Sequence, residues 1–159
     1  MLNERRFIGC DVNPAALKLT RLLMSPPTEA SLRTSFLAVS ERCKREILNS
    51  YRLSATGSMA THYLWEKERL SKVWTTNNGN KRRVELDPTD RDLTLASSFD
   101  SYTSGIFSTP RFFNNARINA ASDLHVRDFF TGRALHNIDL LIEAINLLPD
   151  EAREPLLLC

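Results

Sequence analysis

Glycine is scarce in this 159-residue chain, with five residues in all, and none are spaced as a nucleotide-binding loop needs. The three cysteines, Cys10, Cys43 and Cys159, are odd in number, far apart and without a Cys-x-x-Cys pair. That pattern argues against a disulfide framework or a structural zinc site and suits a reducing compartment. The three histidines, His62, His125 and His136, are not at metal-ligand spacing either. No nucleophile elbow is present, and no metal, cofactor or enzymatic activity is expected. No run of eighteen apolar residues occurs, which argues against a transmembrane helix. Met1 to Arg6 lack the apolar stretch of a secretory signal, so secretion is not expected.

What is present is enough for one ordinary core and an extension, since 42% of the residues are hydrophobic. Charge is unevenly placed. Residues 1–87 carry 15 Lys and Arg against 9 Asp and Glu, whereas residues 88–159 carry 6 against 10. A basic first half suits a mixed-sign solvated surface first and nucleic acid or anionic lipid second.

Helix signals dominate the walk along the chain. Asn13-Pro14 supplies an N-cap and a first-turn proline, and Ser25-Pro26-Pro27 stops the helix they open. Thr28 caps a second helix, in which Leu32, Phe36, Val39, Cys43 and Ile47 fall on one face. A polar loop over 49–58 precedes a third helix expected from Met59 to Trp74, with Tyr63, Leu70, Val73 and Trp74 inward and Asn77 to Asn80 ending it. Residues 88–130 contain six phenylalanines and little periodicity, and read as an irregular extension. A last helix starts near Thr131 and carries Leu135, Ile138, Leu141, Ile142, Ile145 and Leu148 before Pro149, with a short amphipathic turn over Asp150 to Leu158. With no convincing strand run or hairpin signal, the expected class is all-α.

Three pieces of the first half carry a family resemblance. The stretch Leu22 to Phe36 has a short apolar helix, a Pro/Ser/Thr turn, then an acidic helix start followed by Leu32-Arg33 and an aromatic. Leu70-Ser71-Lys72-Val73-Trp74 and the basic ending Lys81-Arg82-Arg83-Val84-Glu85-Leu86-Asp87 follow it. In order and spacing they resemble a J domain, the helical module that stimulates ATP-driven chaperones. The resemblance implies a helical hairpin over 13–87, between an N-terminal arm (1–12), the Phe-rich extension (88–130) and a C-terminal helical segment (131–159). Where the family has His-Pro-Asp, this chain has Lys44-Arg45-Glu46. Two cations and a helix-favouring glutamate reproduce neither the charge nor the turn, so chaperone stimulation is not transferred.

The expectation that follows is a degenerate J-like, non-catalytic subunit of a larger assembly, bound to other protein subunits and taking no small-molecule substrate. Phe107, Phe112, Phe113, Phe129 and Phe130 are its candidate partner contacts, because aromatics in irregular chain need burial. The resemblance implies a mitochondrial machine, with the cytoplasm as the other location. A regulatory co-chaperone is one alternative. An RNA-associated or ribosomal accessory protein gripping phosphate through Lys81, Arg82 and Arg83 is another, and peripheral contact with membrane proteins remains open. His62, His125 and His136 read as surface or packing residues, and Asp123 and Asp128 beside His125 as turn or cap carboxylates.

Overall fold

A computed structural model describes residues 13–67, 69–76, 82–106 and 124–158. Helices start where the caps were expected. Asn13 Oδ1 accepts from the Ala15 amide (3.0 Å) ahead of α1, Pro14–Met24. Thr28 Oγ1 accepts from Ser31 (3.2 Å) ahead of α2, Glu29–Ser50, and Thr131 Oγ1 from Ala134 (3.3 Å) ahead of the long C-terminal helix. Each bond satisfies an amide that the helix itself leaves without a partner.

The all-α expectation is overturned between residues 59 and 87. In place of a third helix the chain forms β1, Ala60–Glu66, and β2, Arg69–Thr76, and the basic ending forms β3, Arg83–Leu86. The three make one antiparallel sheet in the order β1-β2-β3. Composition explains the strands: Thr61, Tyr63, Trp65, Val73, Trp74, Thr75 and Thr76 are β-branched or aromatic, and such residues suit a pleated surface better than a helix. Within the expected helix, Glu66 pairs with Arg69 at the end of the hairpin and Lys67 adopts φ 58°.

Two bulges hide the strands from a period-two reading. Thr61 is the extra residue on β1, between the Ala60–Thr75 and His62–Trp74 pairs. Ser71 is the extra residue on β2, between Leu64–Lys72 and Trp65–Leu70. Each bulged hydroxyl donates to a carbonyl of the facing strand, Thr61 to Trp74 (3.1 Å) and Ser71 to Leu64 (3.4 Å).

The remaining elements are helical. α3, Asp90–Ser97, lies inside the stretch expected to be irregular, as does a 3₁₀ turn at Val126–Phe129; α4, Gly132–Asn146, and α5, Asp150–Leu157, end the chain. α3 is announced by a reciprocal cap, in which Thr89 Oγ1 accepts from the Asp92 amide and Asp92 accepts from the Thr89 amide.

Two cores result. Val39 and Cys43 of α2 meet Ala144 and Ile145 of α4, with Ile47, Leu140, Leu148 and Leu156 around them. Leu53, Leu70, Val73 and Ala96 form the second, between the sheet and α3, flanked by Tyr63, Leu86 and Leu93. The α2 stripe differs from its sequence reading at one place: Ser35 is buried and Phe36 points outward. Between the cores, Asn137 Nδ2 donates to Ser50 Oγ (2.9 Å), which donates to the Ile47 carbonyl, tying α4 to the end of α2. No helix among the described residues is long and apolar enough to cross a membrane.

Candidate functional site

α4 reads as an apolar stripe in sequence, yet its buried residues include Arg133, Asn137 and Asp139. Buried polar groups need partners, and the two neutral or acidic ones are fully supplied. Asp139 accepts from Tyr102 Oη (2.8 Å) and Ser104 Oγ (2.7 Å), and Asn137 donates to Ser50. Burial, aided by the Asp139 charge, pushes the Tyr102 phenol up to about 12.

Arg133 is different. It is 7% exposed, its Nε has no hydrogen-bond partner, and no carboxylate among the described residues lies within 4.0 Å of its guanidinium. Aromatic rings surround it instead: its Cζ is 4.2 Å from the Tyr63 centroid, 5.4 Å from Phe99 and 5.6 Å from Tyr51. Burial raises the Tyr63 pKa, and the Arg133 charge together with a side-chain hydrogen bond between the two residues works against that rise.

Four elements converge to build this arrangement. Tyr51 ends α2, Tyr63 sits on β1, Phe99 follows α3, and Arg133 is in the first turn of α4. Gly132 permits the convergence, because a Cβ there would stand 1.9 Å from the Phe99 carbonyl oxygen. The side chains border a cavity of about 800 Å³ whose wall includes Trp65, Asp100 and Arg133.

On the far side of α3, Asp92 is almost fully buried but well supplied. It accepts from the amide and hydroxyl of Ser54 (3.0 and 3.1 Å) and of Thr89 (2.9 and 2.7 Å). Burial alone raises its pKa; the four hydrogen bonds more than offset this and hold the carboxyl below the usual aspartate value.

The described residues among those singled out from sequence do not form one site. Lys44, Arg45 and Glu46 lie exposed inside the unbroken α2, where no turn exists, and Glu46 stands 3.8 Å from His136. Phe107, Phe112, Phe113, Lys81 and Asp123 lie outside the described residues, while Phe129 and Phe130 are exposed. Arg83 stacks over Trp74 at 4.3 Å, and Arg82 is exposed beside it on the chain. His62 packs on Trp74, His136 against Phe99 and Tyr102, and Asp128 Oδ2 accepts from the His125 amide at the start of the 3₁₀ turn. Cys43 is buried with its thiol pKa raised by burial.

Sequence reasoning missed Arg133, though a signal exists. Cations are disfavoured in the first turn of a helix, where the backbone dipole is positive, and an arginine directly after a Thr-Gly cap stands against that preference. Among the described residues no group of His, Cys, Asp and Glu is arranged to hold a metal ion. Comparison with protein-family models, curated proteins and solved structures finds no match to this chain.

Proposed function

We propose that this chain is a non-catalytic subunit that docks onto another protein of a larger assembly through α1 and the adjoining part of α2. The observation that carries the reading is that α1 buries none of its residues. Leu19 and Leu23, four residues apart and so on one helix face, are 50% and 73% exposed, and Met24 is 64% exposed. On α2, Phe36 and Leu37 are exposed as well. An eleven-residue helix is marginal on its own in water, and among the described residues α1 is held to the rest of the fold by half-buried Ala16, Leu17 and Leu22 and by an exposed Lys18–Glu154 ion pair (3.2 Å). A cover over Leu19 and Leu23 would supply the missing stabilisation.

Charge narrows the partner. Residues 13–50 carry six Lys and Arg (Lys18, Arg21, Arg33, Arg42, Lys44, Arg45) against three Glu (Glu29, Glu41, Glu46), so an apolar groove with an acidic rim fits them. A mitochondrial machine remains the assembly proposed, although two of the three segments behind that expectation are strands, and fractionation of tagged cells checks the compartment. The RNA-associated alternative has less behind it, because Arg83 is engaged with Trp74.

The test is the native mass of the tagged chain, with a photo-crosslinker at Leu23, for the parent and for Leu19→Glu/Leu23→Glu. A fixed-stoichiometry complex that cross-links to a protein at Leu23 and dissolves in the double variant, with an unchanged melting temperature, supports docking. A parent that runs as a free monomer, a pure homo-oligomer, or a complex indifferent to the double variant overturns it.

A further inference from the structure

Three charged side chains are deeply buried among the described residues: Asp92, Asp139 and Arg133. Both aspartates are met by donors, four for Asp92 and two for Asp139. The Arg133 guanidinium lies close to the rings of Tyr63, Phe99 and Tyr51, its Nε is sealed from solvent without a hydrogen-bond partner, and no carboxylate among the described residues stands within ion-pair distance. Ring faces attract a guanidinium, and its side chain also hydrogen-bonds Tyr63, while the fork as a whole is shaped for the two oxygens of a carboxylate or phosphate.

The backbone adds to the same field. Arg133 lies in the first turn of a 15-residue helix, and Thr131 Oγ1 caps only the Ala134 amide, while the Thr131 carbonyl takes that of Leu135. The Gly132 and Arg133 amides point out of the helix start with no hydrogen bond to described residues. A fixed cation and a helix amino terminus together favour an anion. The cavity they border, about 800 Å³, is within the size range of small-molecule sites, and Trp65, 46% exposed, offers it a flat apolar wall.

We propose that this cavity is a binding site for a small ligand that carries an oxyanion, carboxylate or phosphate, on a flat ring system. The oxyanion engages Arg133 and the amino end of α4, and the ring lies against the aromatic wall. Asp100, also on the wall, selects for a ligand whose body carries hydroxyl or amine hydrogens to donate. The site is separate from the α1 docking face, and its occupancy does not depend on a protein partner.

Calorimetric titration and Trp fluorescence of the full chain test it, with AMP, indole-3-carboxylate, adenosine and inorganic phosphate as probes. Saturable binding of AMP or indole-3-carboxylate is expected, with adenosine and phosphate alone each weaker. The tighter of the two anions identifies the source of the oxyanion. Arg133→Lys, which keeps the charge but loses the fork, should weaken binding about tenfold or more. Trp65→Ala, at an exposed position, should weaken it severalfold without loss of fold. No saturable binding of either aromatic anion to the parent chain overturns the proposal whatever the variants do. So does binding that survives both Arg133→Lys and Trp65→Ala. The Leu19→Glu/Leu23→Glu variant should bind the probes like the parent, which separates this site from the docking proposal.

Discussion

The two cores of this protein are held in different ways. The α2–α4–α5 core is apolar side chains meeting across helices, whereas the sheet–α3 core is closed at its rim by hydrogen bonds to Asp92 and by the aromatic rings around Arg133. Apolar packing tolerates small losses, because neighbours partly relax into the space. A buried charge does not, because removing it strands every group that faced it. The sheet side is therefore expected to be the more brittle half.

The largest effect should come from Asp92→Ala, which orphans the Ser54 and Thr89 donors and removes the α3 capping box. We expect a loss of about 3 kcal/mol in urea unfolding. An effect as small as that of a core methyl deletion would erase the distinction between the halves. The same carboxyl sets an acid limit. Its folded pKa is lowered, so its contribution is full above the unfolded value near about 4 and is lost as pH falls through the folded value. Melting temperature measured from pH 6 to pH 2 should drop at the acid end, and Asp92→Asn should flatten that drop.

Gly132→Ala comes next, at about 2 kcal/mol or more, since the new Cβ meets backbone at Phe99 rather than a movable side chain. Differential scanning calorimetry checks it. On the helical side, Cys43→Ala should cost only about 1 kcal/mol, because the thiol is a small hydrophobe whose one hydrogen bond returns to the Val39 carbonyl of its own helix. A larger loss would mean the helical core is as exacting as the other.

An alkaline limit belongs to the joint between the halves. The Tyr102 phenol is raised to about 12, so its neutral form is favoured in the fold. That stability is whole below the unfolded value near about 10 and is lost as pH climbs toward 12. Tyr102→Phe should remove the dependence, read as melting temperature between pH 9 and pH 12. Smallest of all is Lys18→Ala, about 0.5 kcal/mol or less, because both partners of its bridge to Glu154 are about half exposed.

Legibility in sequence divides along the same line. Asn13-Pro14, Thr28 and Thr131 mark helix starts by chemistry that acts within one turn, so α1, α2 and α4 are readable locally. β1 and β2 are not, because Thr61 and Ser71 break the alternation and a charged turn separates the strands, so the whole segment mimics a helix with a polar face. The resemblance to a J domain borrowed that mimicry, with Leu70 to Trp74 on a strand where it implied a helix. The Arg133 site is written in four separate elements, and nothing near residue 133 says that Tyr51, Tyr63 and Phe99 will meet there. Only the misplaced cation at a helix start hints at it.

The Thr61 bulge has one more effect. In the order β1-β2-β3 the first and last strands are the outer ones, and an outer strand with free amides and carbonyls is a template for a foreign strand. β1 carries one bulge, at Thr61 near its start, so its backbone groups do not run in the even row that a straight incoming strand requires, while the Ser71 bulge lies on the central β2. β3 is only four residues long and carries Arg83 and Glu85. Each outer strand thus discourages further addition in its own way, and the Thr61 bulge that helps to hide the hairpin in sequence also makes its edge a poorer template for a foreign strand.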